Sequence, residues 1–329
     1  MALGHELQVW VWGRAPGYPE GPIPQWCIYE PFDCWLSPHW REMLYSVFKP
    51  HGGMARTTWR PPDDHIVVAA EVTSSPAVVR FDRSVSTIHN RAALDGLATR
   101  ILTRWHLQES RAEGRAARRA HLVLTYSERV ARHLPRNPHV VPMGYPVPST
   151  PLSPVEAPVA YLVADWSWPP NKVAISRLLK VWPSVREAVP GARLLLAGHL
   201  ADHESIGPIT GVKFLGKVGT SREVMSMASV LAFPCPASTG PKVKVFEAMA
   251  HGLPVVTTPW GVEGLVAQEG EGALVVQPKD FAKGLTELLL SAERRADVGA
   301  SGRAAVQKNH SPLAAARAHL NAFATTFGP

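Results

Sequence analysis

Residues 235–265 read CPASTGPKVKVFEAMAHGLPVVTTPWGVEGL, which resolves into loop, helix, turn, strand and loop. Gly240-Pro241 opens the helix. A first turn does not use the N–H that proline lacks, and glycine lets the backbone approach a neighbour closely. Val243, Phe246, Ala250 and Leu253 fall on one helical stripe. Gly252 closes the helix, and Pro254-Val255-Val256-Thr257-Thr258 reads as a short buried strand.

The first turn of this helix carries the chemistry. Its unpaired N–H groups and the helix dipole favour an anion. Lys242 and Lys244 add two cations at the end where the dipole does not call for them, which suits a diphosphate. Glu247 lies about one turn further in, where a carboxylate can accept hydrogen bonds from the vicinal hydroxyls of a ribose. At ~1.5 Å of rise per residue, phosphate at the tip and ribose one turn down match the length of a nucleotide. A plain amphipathic helix with solvated lysines is the other reading of the pattern, and local spacing leaves both open.

The remaining chain sets bounds. Its 329 residues suffice for two domains, and 46% apolar with 19% charged residues is a globular composition. No run approaches the ~20 apolar residues that span a bilayer. The opening MALGHELQVWVW has neither a basic front nor a cleavage-site pattern, so no signal peptide is expected. Cys27, Cys34 and Cys235 are scattered and odd in number, which argues against a disulfide framework and for a reducing, cytoplasmic location. The net charge of +7 is concentrated: residues 80–136 hold twelve Arg, no Lys and five acids, a surplus equal to the whole excess. Arg111, Arg115, Arg118 and Arg119 lie near one helical face, which is either a solvated surface or a weak contact for the inner membrane surface. No aromatics interleave with these arginines, so no nucleic-acid partner is expected.

In chain order, strands are expected at Leu7–Trp12, His65–Glu71 and Val85–His89, with a helix over Leu36–Lys49 and helical structure over Ala92–Arg119. Leu94, Leu97, Ile101 and Trp105 form the apolar face of that last stretch. Six of the eleven Trp precede residue 61; they offer either a sugar-stacking acceptor surface or core filling. Tyr145–Pro158 holds five prolines and reads as a semi-rigid linker. Beyond it, strands at Val159–Val163, Ala192–Ala197, Val212–Leu215, Val230–Phe233, Pro254–Thr258 and Ala273–Val276 alternate with helices, which implies a parallel sheet covered on both faces. Asn171 is expected to cap the first of these helices. His199 and His203 have helical metal spacing but sit in a loop with only Glu204 nearby, so no metal is assigned.

The run KVKVFEAMAHGLPVVTT, residues 242–258, closely resembles the donor-binding signature of family 4 glycosyltransferases of GT-B architecture. Glu247 matches the second of that family's two acids, and the first would fall on Thr239. A subset lacking the first acid carries a basic residue, an apolar residue and Lys before the helix, as Lys242-Val243-Lys244 do. Trp166–Asn171 resembles the same subset, and its lack of a Gly-Arg pair shifts phosphate binding onto Lys242 and Lys244. The resemblance implies two Rossmann-like domains facing across a cleft: residues 1–147 on the acceptor side, 148–310 binding the nucleotide sugar, and a helix at 311–329 crossing back. Relatives begin with a strand and Gly-rich loop that this chain lacks, and the resemblance therefore implies a truncated first domain.

It further implies retaining, metal-independent transfer of a sugar from a nucleoside diphosphate sugar to a small-molecule, glycan or lipid-linked acceptor, with no cofactor. His89, at a strand end, is assigned to the cleft and, with Lys244, to catalysis. Thr239 and Gly240 belong to a loop, Pro236–Pro241, that offers N–H groups to the donor sugar; Gly261 walls the nucleotide pocket. Two alternatives stay open: a catalytically degenerate nucleotide-binding relative, and a basic peripheral membrane-binding protein.

Overall fold

A computed structural model describes residues 9–13, 27–31, 66–69, 82–89, 91–98, 104–199, 207–266 and 271–328. Residues 1–63 and 64–329 form two compact units. In the first, β1 (Val9–Gly13) and β2 (Cys27–Pro31) pair in parallel, Val11 opposite Tyr29. The expected helix over 36–49, and Trp26, Trp35, Trp40 and Trp59, lie outside the described residues.

The second unit holds two parallel sheets. Four strands, β3 (Val67–Ala69), β4 (Ser84–Ile88), β5 (Leu122–Thr125) and β6 (His139–Val140), lie side by side in chain order. Both β4 and β5 are buried along their whole length, as strands of a covered parallel sheet must be. Helices α1 (Ala92–Ala98) and α2 (Arg104–Arg119) connect β4 to β5, and α3 (Glu128–Ala131) follows β5. Ser127 caps α3, its Oγ accepting from the N–H groups of Arg129 and Val130. Leu97, expected on an apolar face, is 59% exposed, a correction to that pattern. Ile101 and the side chain of Trp105 lie outside the described residues.

The other sheet has six strands: β7 (Val159–Val163), β8 (Arg193–Ala197), β9 (Val212–Gly216), β10 (Val230–Phe233), β11 (Val255–Thr257) and β12 (Leu274–Val275). Their spatial order is β12-β11-β10-β7-β8-β9, all parallel, the doubly wound arrangement in which chain order reverses between β7 and β10. β7 and β10 begin and end where the sequence places them. The helices are α4 (Pro169–Ala188), α5 (Ser221–Met225), α6 (Val243–Ala250), α7 (Phe281–Leu290), α8 (Ala292–Asn309) and α9 (Pro312–Phe327).

Asn171 does not cap α4. Trp168 is the N-cap, because Pro169-Pro170 already fits a first turn, and Asn171 is left inside the helix with its amide free to bond elsewhere. The stripe expected on α6 also shifts. Val243 is 55% exposed, whereas Val245, Phe246, Ala248, Met249 and Ala250 are buried. The helix starts at Val243 rather than Gly240-Pro241, and it lies between the sheet and α8, so it buries a broader face. Full burial of a side chain the size of Phe246 contributes roughly 1.5–3 kcal/mol. Close approach of α8 requires Gly299, whose Cβ would stand 2.3 Å from the Gly252 carbonyl oxygen.

Two stretches pass between the sheets. The first, Val141–Pro158, lies along the six-stranded lobe: Leu152 N–H donates to His251 O (2.8 Å), Val155 N–H to Ala228 O (3.3 Å), and Arg303 reaches Pro148 O. The second leads into α9, which packs Ala322, Ala318, Phe323 and Phe327 beside Val85, Leu122, Leu124 and Val141 of the four-stranded lobe. His310, fully buried, ties both passages together. Its Nε2 accepts from Val266 N–H (2.8 Å), which puts the proton on Nδ1 for donation to Met143 O (2.9 Å). Tyr145 N–H donates to His310 O (2.7 Å). Burial holds the His310 pKa below its ordinary value, in keeping with the neutral tautomer. Among the described residues no helix is long and apolar enough to cross a membrane.

Candidate active site

Open doubly wound sheets bind ligands beyond the carboxyl ends of the strands flanking the reversal of order. Here that crevice lies between the loop after β7, Ala164–Trp168, and the loop after β10, Pro234–Lys242, which leads into α6. The stretch 235–265 therefore supplies one wall of the crevice.

Lys244 lies on the first turn of α6. Its Nζ donates to Asn171 Oδ1 (2.9 Å) and stands 4.5 Å from the centre of the Phe233 ring. The Asn171 amide nitrogen in turn donates to Asp165 O (2.8 Å), so the two loops of the crevice are joined through one side chain. Loss of solvent brings the Lys244 pKa from 10.5 down to about 8, with Lys242 pushing in the same direction. Lys242 is the N-cap residue, and its ammonium folds back onto the carbonyl oxygens of Thr239 (3.0 Å) and Gly240. The two cations thus differ in situation: one bonds across the crevice to Asn171, the other braces the loop. Cys235, buried beneath them, has its thiol pushed up by desolvation.

Glu247, one turn further, is half-buried. Its Oε1 accepts from Ser221 Oγ at the start of α5, and Tyr145 bonds to the same carboxylate. Burial, reinforced by that carboxylate, raises the Tyr145 pKa to about 12. Two hydroxyls therefore orient Glu247, one of them on the passage between the lobes.

Thr239 and Gly240 sit in the loop between Pro236 and Pro241, where only Ala237, Ser238, Thr239 and Gly240 carry N–H groups. Two of these four already have carboxylate partners. Thr239 N–H and Oγ1–H both donate to Asp95 Oδ1 of α1 (2.6 and 2.9 Å). Gly240 N–H donates to Glu263 Oε1 (3.0 Å), which also accepts from Ser127 Oγ (2.5 Å). Arg91 N–H donates to Thr239 Oγ1 (2.7 Å), and Arg129 reaches Ser238 O (3.1 Å) and stands 3.6 Å from Glu263 Oε2. Gly240 has φ 76°, a backbone conformation glycine adopts without strain.

His89, half-buried, follows β4 and meets Tyr126 edge to face at 5.0 Å. It lies two residues before Arg91, whose backbone touches Thr239, so the end of β4 reaches the loop at the crevice. Gly261 is buried in the turn of 3₁₀ helix at Pro259–Val262, where a Cβ would fall 1.9 Å from Thr257 Oγ1. Packing on Thr257 alone therefore demands glycine there. His199 is described and His203 is not; among the described residues no three His, Cys, Asp or Glu group into a metal site.

Sequence reasoning did not find Asn171, Tyr145, Ser221 or Asp95 as site residues. They reach Lys244, Glu247 and Thr239 from 73, 102, 26 and 144 positions away, and no local pattern encodes such meetings.

Two parallel-stranded Rossmann-like lobes, joined by two passages and carrying a crevice at the strand-order reversal, define a GT-B protein. Residues 157–291, which hold most of the six-stranded lobe, match the family described as Glycosyl transferases group 1. A GDP-mannose-dependent monoacylated alpha-(1-6)-phosphatidylinositol monomannoside mannosyltransferase of Corynebacterium glutamicum is 32% identical over 147 residues, 40% of this chain and 38% of that protein. The chain thus spans about two fifths of that relative. Sucrose-phosphate synthase from Thermosynechococcus elongatus superimposes with TM-score 0.76 at 17% identity, over 99% of this chain and 90% of that one. Anabaena HepE in complex with UDP and glucose gives 0.65 at 15% identity, over 97% and 100%. At such identities these structures speak to the fold alone.

Proposed function

We propose that the protein is a glycosyltransferase that moves a sugar, with retention of configuration and without a metal, from a nucleoside diphosphate sugar to an acceptor hydroxyl. One observation carries this: Lys244 holds a partly desolvated ammonium in the crevice while its bonded partners among the described residues are neutral, the Asn171 amide and the Phe233 ring. A desolvated cation is stabilised by an anion brought beside it, and a diphosphate at the tip of α6 supplies one. The family model that residues 157–291 match and the GDP-mannose-dependent relative support the same reading.

In this reading Glu247 holds the ribose, oriented by Ser221 and Tyr145. Lys244, Lys242 and the N-terminus of α6 stabilise charge growing on the leaving diphosphate. Thr239, Gly240 and Gly261 line the donor site, and His89 faces the transferred sugar from the other lobe. The acceptor is a glycan or a lipid-linked hydroxyl. Arg111, Arg118 and Arg119, exposed on α2, attract an anionic membrane surface weakly.

Calorimetric titration with GDP, UDP, GDP-mannose and UDP-glucose tests this, together with release of nucleoside diphosphate from either donor. Binding of one nucleotide, lost in Glu247→Ala, is the expected result. A protein that binds none of the four refutes it. Nucleotide binding without turnover of any sugar donor would instead identify a catalytically degenerate relative.

A further inference from the structure

We infer that Asp95 is a positioning residue: from the four-stranded lobe, it fixes the backbone of Thr239 and Gly240 in the conformation that receives the donor sugar. The inference rests on the donor site proposed above.

Asp95 is 3% exposed and Thr239 5%, so the bonds between them form out of water. One carboxylate oxygen accepts from both the N–H and the Oγ1–H of Thr239, at 2.6 and 2.9 Å. With its hydroxyl proton committed to Asp95, Thr239 Oγ1 accepts from Arg91 N–H at 2.7 Å. The ring of contacts is therefore directional: Arg91 donates to Thr239, which donates to Asp95. Asp95 is itself set by the helix it stands on, since its N–H donates to Arg91 O (3.1 Å). Arg91 is anchored in turn on α2, its guanidinium 2.7 Å from the buried Glu113 carboxylate. The start of α1 is thus a rigid platform aimed at a single loop residue.

The opposite side of the loop is held in the same way. Glu263 accepts from Gly240 N–H and is tied to Ser127 at the start of α3. Consecutive loop amides, 239 and 240, are so bonded to two carboxylates, and both carboxylates are anchored on the four-stranded lobe. A loop between two prolines with only four N–H groups has few other ways to hold its shape. Lys242, which begins α6, braces the same two residues through their carbonyl oxygens. Asp95 therefore acts upon the sugar end of the site, and the ribose end at Glu247 is held by different residues, Ser221 and Tyr145.

The separation of the two ends makes the inference testable. Hydrogen exchange is followed in the 237–240 segment of the full chain for the parent, Asp95→Ala, Asp95→Asn and Thr239→Val. The same proteins are titrated with GDP, GDP-mannose, UDP and UDP-glucose. Losing a buried charge-assisted hydrogen bond speeds exchange in this segment about tenfold or more in Asp95→Ala, with a smaller change in Asp95→Asn, which keeps an acceptor oxygen. The preference for the sugar nucleotide over its bare nucleotide falls about tenfold in Asp95→Ala and Thr239→Val, while bare-nucleotide affinity changes by less than about threefold. The double variant is little worse than Asp95→Ala, which already removes both bonds from Thr239 to the carboxylate; Thr239→Val removes the hydroxyl's bonds and leaves its N–H on Asp95. Unchanged exchange in Asp95→Ala overturns the inference, as does a loss of bare-nucleotide affinity equal to that of the sugar nucleotide. A parent that binds no nucleotide refutes the proposed function instead, and the exchange result still decides whether Asp95 holds the loop.

Discussion

Replacing Lys244 by methionine keeps the length of the side chain and removes its charge, and the crevice dictates opposite effects on stability and on binding. The pKa of about 8, against 10.5 in the absence of burial, means that the protein holds the charged form at a cost of roughly 3 kcal/mol. Methionine relieves that cost but leaves Asn171 Oδ1 without its donor and Phe233 without its cation, which returns about 1–2 kcal/mol. The ligand-free variant should therefore be more stable than the parent by about 1–2 kcal/mol. An ammonium about 4 Å from a phosphate attracts it by roughly 4 kcal/mol at an effective dielectric of about 20. After displacement of water, the loss of nucleoside diphosphate affinity should be about a hundredfold.

The pH dependence has a definite sign. The folded pKa is depressed for a base, so Lys244 disfavours folding below pH 8, and this is relieved as pH rises from about 8 toward 10.5. Parent stability should thus rise toward the variant's in that window, and the gap between the two should close. Nucleotide affinity of the parent should fall over the same window as the ammonium loses its proton, with no such fall in Lys244→Arg. Urea denaturation at pH 7.5 and 9.5 with calorimetric titration measures both. A Lys244→Met protein that is less stable at pH 7.5 and binds nucleotide like the parent refutes the reasoning.

Three further outcomes are expected. Glu247→Ala should weaken bare nucleotides about tenfold by losing the ribose contacts, and Ser221→Ala with Tyr145→Phe should reproduce part of that by releasing the carboxylate; calorimetry with UDP and GDP reads both. Gly261→Ala should cost about 1–3 kcal/mol in thermal or urea unfolding, because its Cβ would overlap Thr257 Oγ1, and Thr257→Ala should restore part of the loss. His310 is held neutral with Nε2 accepting from Val266 N–H, so its stabilisation is complete above its unfolded pKa near 6.5. That stabilisation is lost as pH falls through the lower folded value. Melting temperature followed from pH 7.5 to 5 should drop more steeply in the parent than in His310→Gln.

Much of the second lobe was legible in order of residues alone. Short apolar runs such as Val159–Val163 and Val230–Phe233, separated by amphipathic helices, can bury both faces only in a parallel covered sheet, so their extents and type followed from pattern. The cationic tip of α6 and the acid one turn along it were legible for the same reason: helical spacing is local, and Lys242, Lys244 and Glu247 lie within six residues. What those groups touch was decided only by the folded chain. Asn171, read as a cap, became the partner of Lys244 because two prolines started its helix early. Val243, read as part of the buried stripe, faces outward because the helix begins at its own position. The capture of Thr239 by Asp95 and of Gly240 by Glu263 joins residues whose separation in the chain carries no trace in the sequence. Periodicity reports how one element faces its surroundings; which atoms those surroundings supply depends on the packing of two sheets and the passages between them, and that is a property of the tertiary structure.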